Sequence, residues 1–158
     1  MGEPMNTDAA TPLRVGLVGA GNISRAYFET FERIPDEVRL VRIADVDLAR
    51  AAEAAAAQGV PGGSVDELLA DPEVDLVLNL TIPAAHAEVA TRSLEAGKHV
   101  YGEKPLTVTV AEARSVLDLA QQRGLWVGCA PDTVLGTGIQ TARRAIWPVL
   151  IEIVLLNT

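Results

Sequence analysis

The chain has 158 residues, 49% of them apolar, with a formal charge of −8 and an isoelectric point near 4.7. That length gives one ordinary domain with a real core, and the acidity, unrelieved by any basic cluster, argues against nucleic acid and anionic membranes as partners. The one cysteine, Cys129, excludes an intramolecular disulfide and offers no metal cluster, so no metal is expected and a reducing, cytoplasmic setting follows.

Residues 1–12 have neither the basic start nor the apolar stretch of a secretory signal and read as a flexible leader. An apolar strand over Leu13–Val18 then stops at Gly19. From Asn22 to Arg33, Ile23, Ala26, Tyr27 and Phe31 recur at helical spacing, continuing to Ile34. A second strand spans Val38–Ala44. Asp47 caps a helix over Leu48–Gln58 that Gly59 ends, and its alanine content predicts close packing on a sheet. Ser64 with Glu67 has the form of a capping box for a short helix to Ala70. Asp75–Leu80 reads as a strand, Pro83 opens a helix running to Ala96, and His99–Gly102 is a short strand. Thr109 and Glu112 form a second capping box for a helix to Gln122, with Val110, Ala113, Val116, Leu117 and Ala120 inward and Gly124 as its stop. Leu125–Ala130 supplies one more buried strand. Apolar strands alternating with amphipathic helices predict an α/β fold: a Rossmann doubly wound parallel sheet with helices on both faces, in a single domain over residues 13–146.

The first strand-to-helix turn carries Gly19-Ala20-Gly21-Asn22-Ile23-Ser24, a dinucleotide fingerprint whose third glycine is replaced by Ser24. Gly19 makes the tight turn, and Gly21 leaves the backbone N–H groups open to pyrophosphate at a helix N-terminus. Ser24 is small enough for the close packing that the third glycine gives. Asp45 lies 24 residues beyond Gly21, at the end of the second strand, where a carboxylate accepts hydrogen bonds from ribose hydroxyls. The same carboxylate opposes a 2′-phosphate, so NAD is favoured over NADP, with Arg42 and Arg50 near enough to soften the repulsion.

The run Ala96-Gly97-Lys98-His99-Val100-Tyr101-Gly102-Glu103-Lys104-Pro105-Leu106 resembles a hallmark of the glucose–fructose oxidoreductase, inositol dehydrogenase and MocA (Gfo/Idh/MocA) family. Thr81-Ile82-Pro83-Ala84-Ala85-His86 is similar to the family's loop after the fourth strand, and Ala44-Asp45-Val46-Asp47 to its second-strand end. The resemblance covers roughly residues 13–146. It implies that Gly19, Gly21, Asn22 and Ile23 hold the pyrophosphate and Asp45 the adenosine ribose. It implies further that Thr81, Pro83 and His86 line the nicotinamide side, and that Glu103 binds near the nicotinamide ribose. Lys104 matches the lysine that positions and polarises the substrate oxygen, with Pro105 shaping its loop, in many relatives through a cis peptide. On the residues alone, Lys104 could equally be a solvated lysine paired to Glu103. His86 could equally satisfy a local backbone group. His99 reads as a packed structural histidine.

The activity implied is hydride transfer between a nicotinamide dinucleotide and a sugar, polyol or similar hydroxyl compound. Members of the family carry a second, substrate-enclosing domain, and the expectation here is that it is absent and that turnover of this chain is small or nil. Residues 147–158, apolar but for Pro148, Glu152, Asn157 and Thr158, are expected as an atypical tail forming an extra strand. Such a strand pairs with its own sheet or across a homodimer, since left exposed it invites aggregation. The other readings are a non-catalytic nucleotide-binding module and a Rossmann domain for another ligand, against which Glu103-Lys104-Pro105 speaks.

Overall fold

The computed structural model describes residues 11–130, together with Thr141 and Arg144. The expected leader up to Ala10, the end of the domain and the tail lie outside the described residues. Within residues 11–130, six strands alternate with five helices: β1 (Leu13–Val18), α1 (Ser24–Arg33), β2 (Val38–Ala44), α2 (Leu48–Gln58), β3 (Gly62–Gly63), α3 (Val65–Ala70), β4 (Leu76–Asn79), α4 (Pro83–Glu95), β5 (His99–Gly102), α5 (Val110–Arg123) and β6 (Val127–Cys129). All ladders are parallel, and the sheet order is β3-β2-β1-β4-β5-β6. The order reverses at β1, so the carboxyl ends of β1 and β4 open the crevice where such sheets take their ligands.

Alternation along β1 sends Val15 and Leu17 to one face and Val18 to the other. On the first face they join Leu40, Ile43 and Leu78 beneath Tyr27, Phe28 and Phe31 of α1 and Ala55 of α2. On the other, Val18, Ala44 and Val77 meet Leu68 of α3 and Val89 of α4, while Val100 meets Leu94, Val116 and Ala120. The inward set of α1 is therefore Tyr27, Phe28 and Phe31, with Ile23 and Ala26 exposed.

The strands and helices expected from the sequence are present, several with the expected bounds, and both capping boxes form, at Ser64 with Glu67 and Thr109 with Glu112. Asp47 caps α2 by accepting the N–H groups of Ala49 and Arg50. Three readings change. Helix α1 begins at Ser24 rather than Asn22, because the glycine loop occupies the preceding residues. The two-residue β3 is an additional strand, made by glycines with no apolar pattern to announce it. In α5, Val110 and Leu117 are not inward: they are 70% and 48% exposed. That helix packs on α4 and buries the narrow stripe of Val116, Leu119 and Ala120, and among the described residues nothing covers the wider apolar face.

The alanine-rich α2 does lie close. A methyl group added to Gly62 would stand 2.7 Å from Cβ of Ala55 and 2.9 Å from the Ala51 carbonyl oxygen. Gly62→Ala is expected to destabilise the fold by about 1–3 kcal/mol through overpacking, read as a lower urea midpoint at unchanged slope.

At the amino edge of the sheet, away from the crevice, Asp75 accepts from Nη2 and Nε of Arg14 at 2.6 and 2.8 Å. The guanidinium holds its carboxyl below the usual range, as the Glu73 N–H and then Arg42 do for Asp71. A carboxylate lowered in the fold stabilises it fully above the ordinary value near ~4 and loses that contribution as pH falls through the lowered value. Asp75→Asn should therefore flatten the fall of thermal midpoint below about pH 4, checked by melts across an acid series.

Candidate cofactor cleft at the carboxyl edge of the sheet

The turn leaving β1 is held by its own backbone. Gly19 adopts φ +99° and donates its N–H to the Ala44 carbonyl at 2.8 Å. A Cβ there would meet the Leu80 carbonyl group at 2.8 Å, so conformation and space both demand glycine. Gly21 differs: nothing lies within 4 Å of where its Cβ would be, which leaves the backbone open on the cleft side. Ser24 is buried and donates its hydroxyl to the Gly21 carbonyl at 2.7 Å, taking the packing place of the missing third glycine. Asn22 and Ile23 are exposed at the mouth of the turn. Helix α1 starts with no side-chain cap and no acidic residue in its first turn, so the positive end of its dipole is uncompensated there.

Asp45, only 5% exposed, is tied directly to this loop. Its Oδ2 accepts the Ala20 N–H at 2.8 Å and its Oδ1 the Asp47 N–H at 2.9 Å, with Nη1 of Arg50 at 3.4 Å. Two carboxylate oxygens accept about four hydrogen bonds, so one acceptor position is still free for a hydroxyl. Between Asp45 and the glycines on one side, and Ile82, Glu88 and Arg92 on the other, lies an open cavity of about 310 Å³. Arg92 of α4 is paired to Asp66 of α3, closing its outer wall.

Beyond β4 the site is organised by Asn79, a residue the strand pattern passes over. Its side chain is 2% exposed, and its Oδ1 accepts the Thr81 hydroxyl at 2.6 Å and the Thr81 N–H at 3.3 Å. Its Nδ2 donates to the His86 carbonyl, and its own carbonyl accepts the Glu103 N–H at 3.0 Å. Pro83 is the exposed first residue of α4. His86 is 2% exposed, with Nδ1 2.6 Å from the Pro105 carbonyl oxygen and Nε2 3.0 Å from that of Thr81. The imidazole thus lies between the backbone carbonyls of two loops, its N–H donating to a carbonyl, which is the local role left open by the sequence.

The Glu103-Lys104-Pro105 corner follows β5, and the Lys104–Pro105 peptide is cis. Tyr27 donates its hydroxyl to Oε1 of Glu103 at 2.6 Å, and the Lys104 N–H donates to Oε2 at 3.2 Å. The Lys104 side chain is exposed, and among the described residues its ammonium makes no ion pair, with Glu103 or otherwise. Cys129 lies behind the corner, its Sγ 3.6 Å from the Glu103 carbonyl; burial, then the Glu103 charge, pushes its thiol up. His99 is at the opposite edge, where its Nδ1 accepts the Trp126 N–H.

Residues 13–130 match the model of an oxidoreductase family described as having an NAD-binding Rossmann fold, GFO_IDH_MocA. The chain belongs to the Gfo/Idh/MocA family. It is 38% identical over 117 residues to the trans-1,2-dihydrobenzene-1,2-diol dehydrogenase of Bos taurus, covering 72% of this chain and 35% of the relative. Among solved structures, biliverdin reductase from Synechocystis, in complex with biliverdin and NADP+, superposes at a TM-score of 0.75 with 37% identity, over 85% of this chain and 42% of that one. The WlbA dehydrogenase of Bordetella pertussis, in complex with NADH and UDP-GlcNAcA, gives 0.83 with 26% identity, over 87% and 42%. The chain spans about two fifths of the length of these solved relatives, and the matched part is the family's nicotinamide-dinucleotide-binding domain.

Asn79 is the buried joint of this edge. Asn79→Leu keeps the branching but adds volume, and it removes the amide's bonds to the Thr81 hydroxyl, the Thr81 N–H and the His86 carbonyl. It should cost about 2–4 kcal/mol in urea unfolding, whereas an exposed change such as Asn22→Ala should cost under about 0.5 kcal/mol.

Proposed function

We propose that this chain binds NAD in preference to NADP and forms the cofactor side of an oxidoreductase acting on a sugar, polyol or similar hydroxyl compound. One observation carries the reading. The hydrogen bond from Ala20 N–H to Asp45 joins the loop suited to pyrophosphate and the acid suited to ribose into one rigid surface. Open backbone at Gly21, the uncapped start of α1 and the spare acceptor on Asp45 fit a dinucleotide. Asp45 disfavours a 2′-phosphate by charge, and Arg50 at 3.4 Å lessens that penalty without removing it.

In this reading Gly19, Gly21, Asn22 and Ile23 face the pyrophosphate and Asp45 the adenosine ribose. Thr81, Pro83 and Glu103 border the nicotinamide half, and His86 holds their loops in place. The nicotinamide, when bound, accepts or gives the hydride. Lys104, exposed at the strand edge, orients the substrate oxygen and assists its proton movement. The dehydrogenases among its relatives support this class of reaction.

Calorimetric titration of the full chain should show NAD binding, weaker NADP binding and none of S-adenosylmethionine. Asp45→Ala should lower NAD affinity by about 1–3 kcal/mol, and Asp45→Asn should narrow the preference over NADP. Binding of S-adenosylmethionine with no affinity for either nicotinamide nucleotide would overturn the proposal. A dehydrogenase screen against polyols tests the reaction class separately.

A further inference from the structure

Tyr27 sits on α1 one turn beyond the glycine loop and belongs to no part of the fingerprint, yet it reaches the corner after β5 and with Glu103 and Lys104 lines a depression beside α1. Its ring is half-buried against the core cluster that contains Val15, Leu17 and Leu78. Its hydroxyl, at the far end of a stiff side chain, donates to Glu103, 76 residues away in sequence. The bond is 2.6 Å long and made to a carboxylate, which places it among the short, charge-assisted ones. The backbone of Glu103 is already fixed through its N–H to Asn79. Tyr27 adds a shorter restraint on the carboxylate, on the oxygen opposite to the one that the Lys104 N–H holds at 3.2 Å.

We propose that Tyr27 is a positioning residue for the nicotinamide half of the site. Its hydroxyl turns the Glu103 carboxylate toward α1, which leaves the Lys104 ammonium unpaired and Oε2 directed by the Lys104 N–H. Without that hydroxyl the carboxylate is free to swing onto the neighbouring ammonium, the nearest opposite charge in sequence, and Glu103 is drawn away from the nicotinamide half along with Lys104. The same bond makes the helix after the phosphate loop and the corner carrying Lys104 move as one body. This rests on the nucleotide reading given above, and it adds a residue that the phosphate loop, the ribose acid and the Glu-Lys-Pro corner do not include.

The test compares NADH with ADP, which has the adenosine and pyrophosphate but lacks the nicotinamide riboside. In the full chain, Tyr27→Phe keeps the core ring and removes only the hydroxyl. It should weaken NADH binding about five- to tenfold while ADP binding stays within about twofold. Glu103→Gln should lose a similar factor for NADH alone, and the double variant should be no weaker than Glu103→Gln, because both act through one interaction. Equal losses for NADH and ADP would mean that α1 has merely loosened, and would overturn the proposal. So would losses that add in the double variant, an unchanged NADH affinity, or a Tyr27→Phe chain that no longer folds. If the unaltered chain binds neither nucleotide, the nucleotide reading falls and this one with it. If it binds both and Tyr27→Phe is indifferent, only the role of Tyr27 falls.

Discussion

A buried amide in an apolar strand must find partners for all its polar atoms, and at Asn79 that requirement shapes the whole carboxyl edge of the sheet. The carboxamide takes up Thr81 on one side and the His86 carbonyl on the other, while the main chain of the same residue receives Glu103. His86, fixed by its own carbonyl, then turns its ring between Thr81 and Pro105. The loop after β4 and the Glu103-Lys104-Pro105 corner are thereby referred to one residue. The corner with Lys104 inherits its position from strand β4 rather than from solvent-exposed contacts of its own.

The other half of the cleft works by a different economy. Asp45 is a buried carboxylate whose charge is met by two backbone N–H groups and one arginine, not by a matching buried cation. Such a group is already oriented before any ligand arrives, so little ordering remains to oppose binding. The start of α1 behaves likewise, presenting peptide dipoles that need no rearrangement to meet an anion. Fixed dipoles line the glycine-loop half of the cleft, and the movable charge at its other end is that of Lys104.

The sequence was most legible where one residue type serves one local rule. The capping boxes at Ser64 and Thr109, the Asp47 cap, the glycine turn and the apolar strands are all short-range statements, and the structure repeats them. It was least legible where a residue answers to something distant. Tyr27 fits the apolar period of α1, and nothing local says that its hydroxyl meets Glu103. Asn79 continues a strand, and only its polarity within Leu76–Leu80 hinted at a role. Val110 and Leu117 obey the helical period but face outward, because periodicity gives the direction of a face and not the width of the neighbour that covers it. For His86 both readings were available from sequence, and the brace between two carbonyls became visible only once the loop with Pro105 was folded back beside α4.

The two-residue strand β3 bears on how the molecule behaves in a crowded solution. A sheet margin is a template for foreign strands in proportion to the length of unpaired backbone that it offers. Here the margin beside β2 ends in two glycines, one of them pressed against Ala55 and Ala51 of α2 and the other beneath the carboxylate of Glu67. An incoming strand would find few groups to pair with and an acidic side chain at the end of the row. The same capping glutamate that starts helix α3 therefore also guards the border of the sheet against accretion.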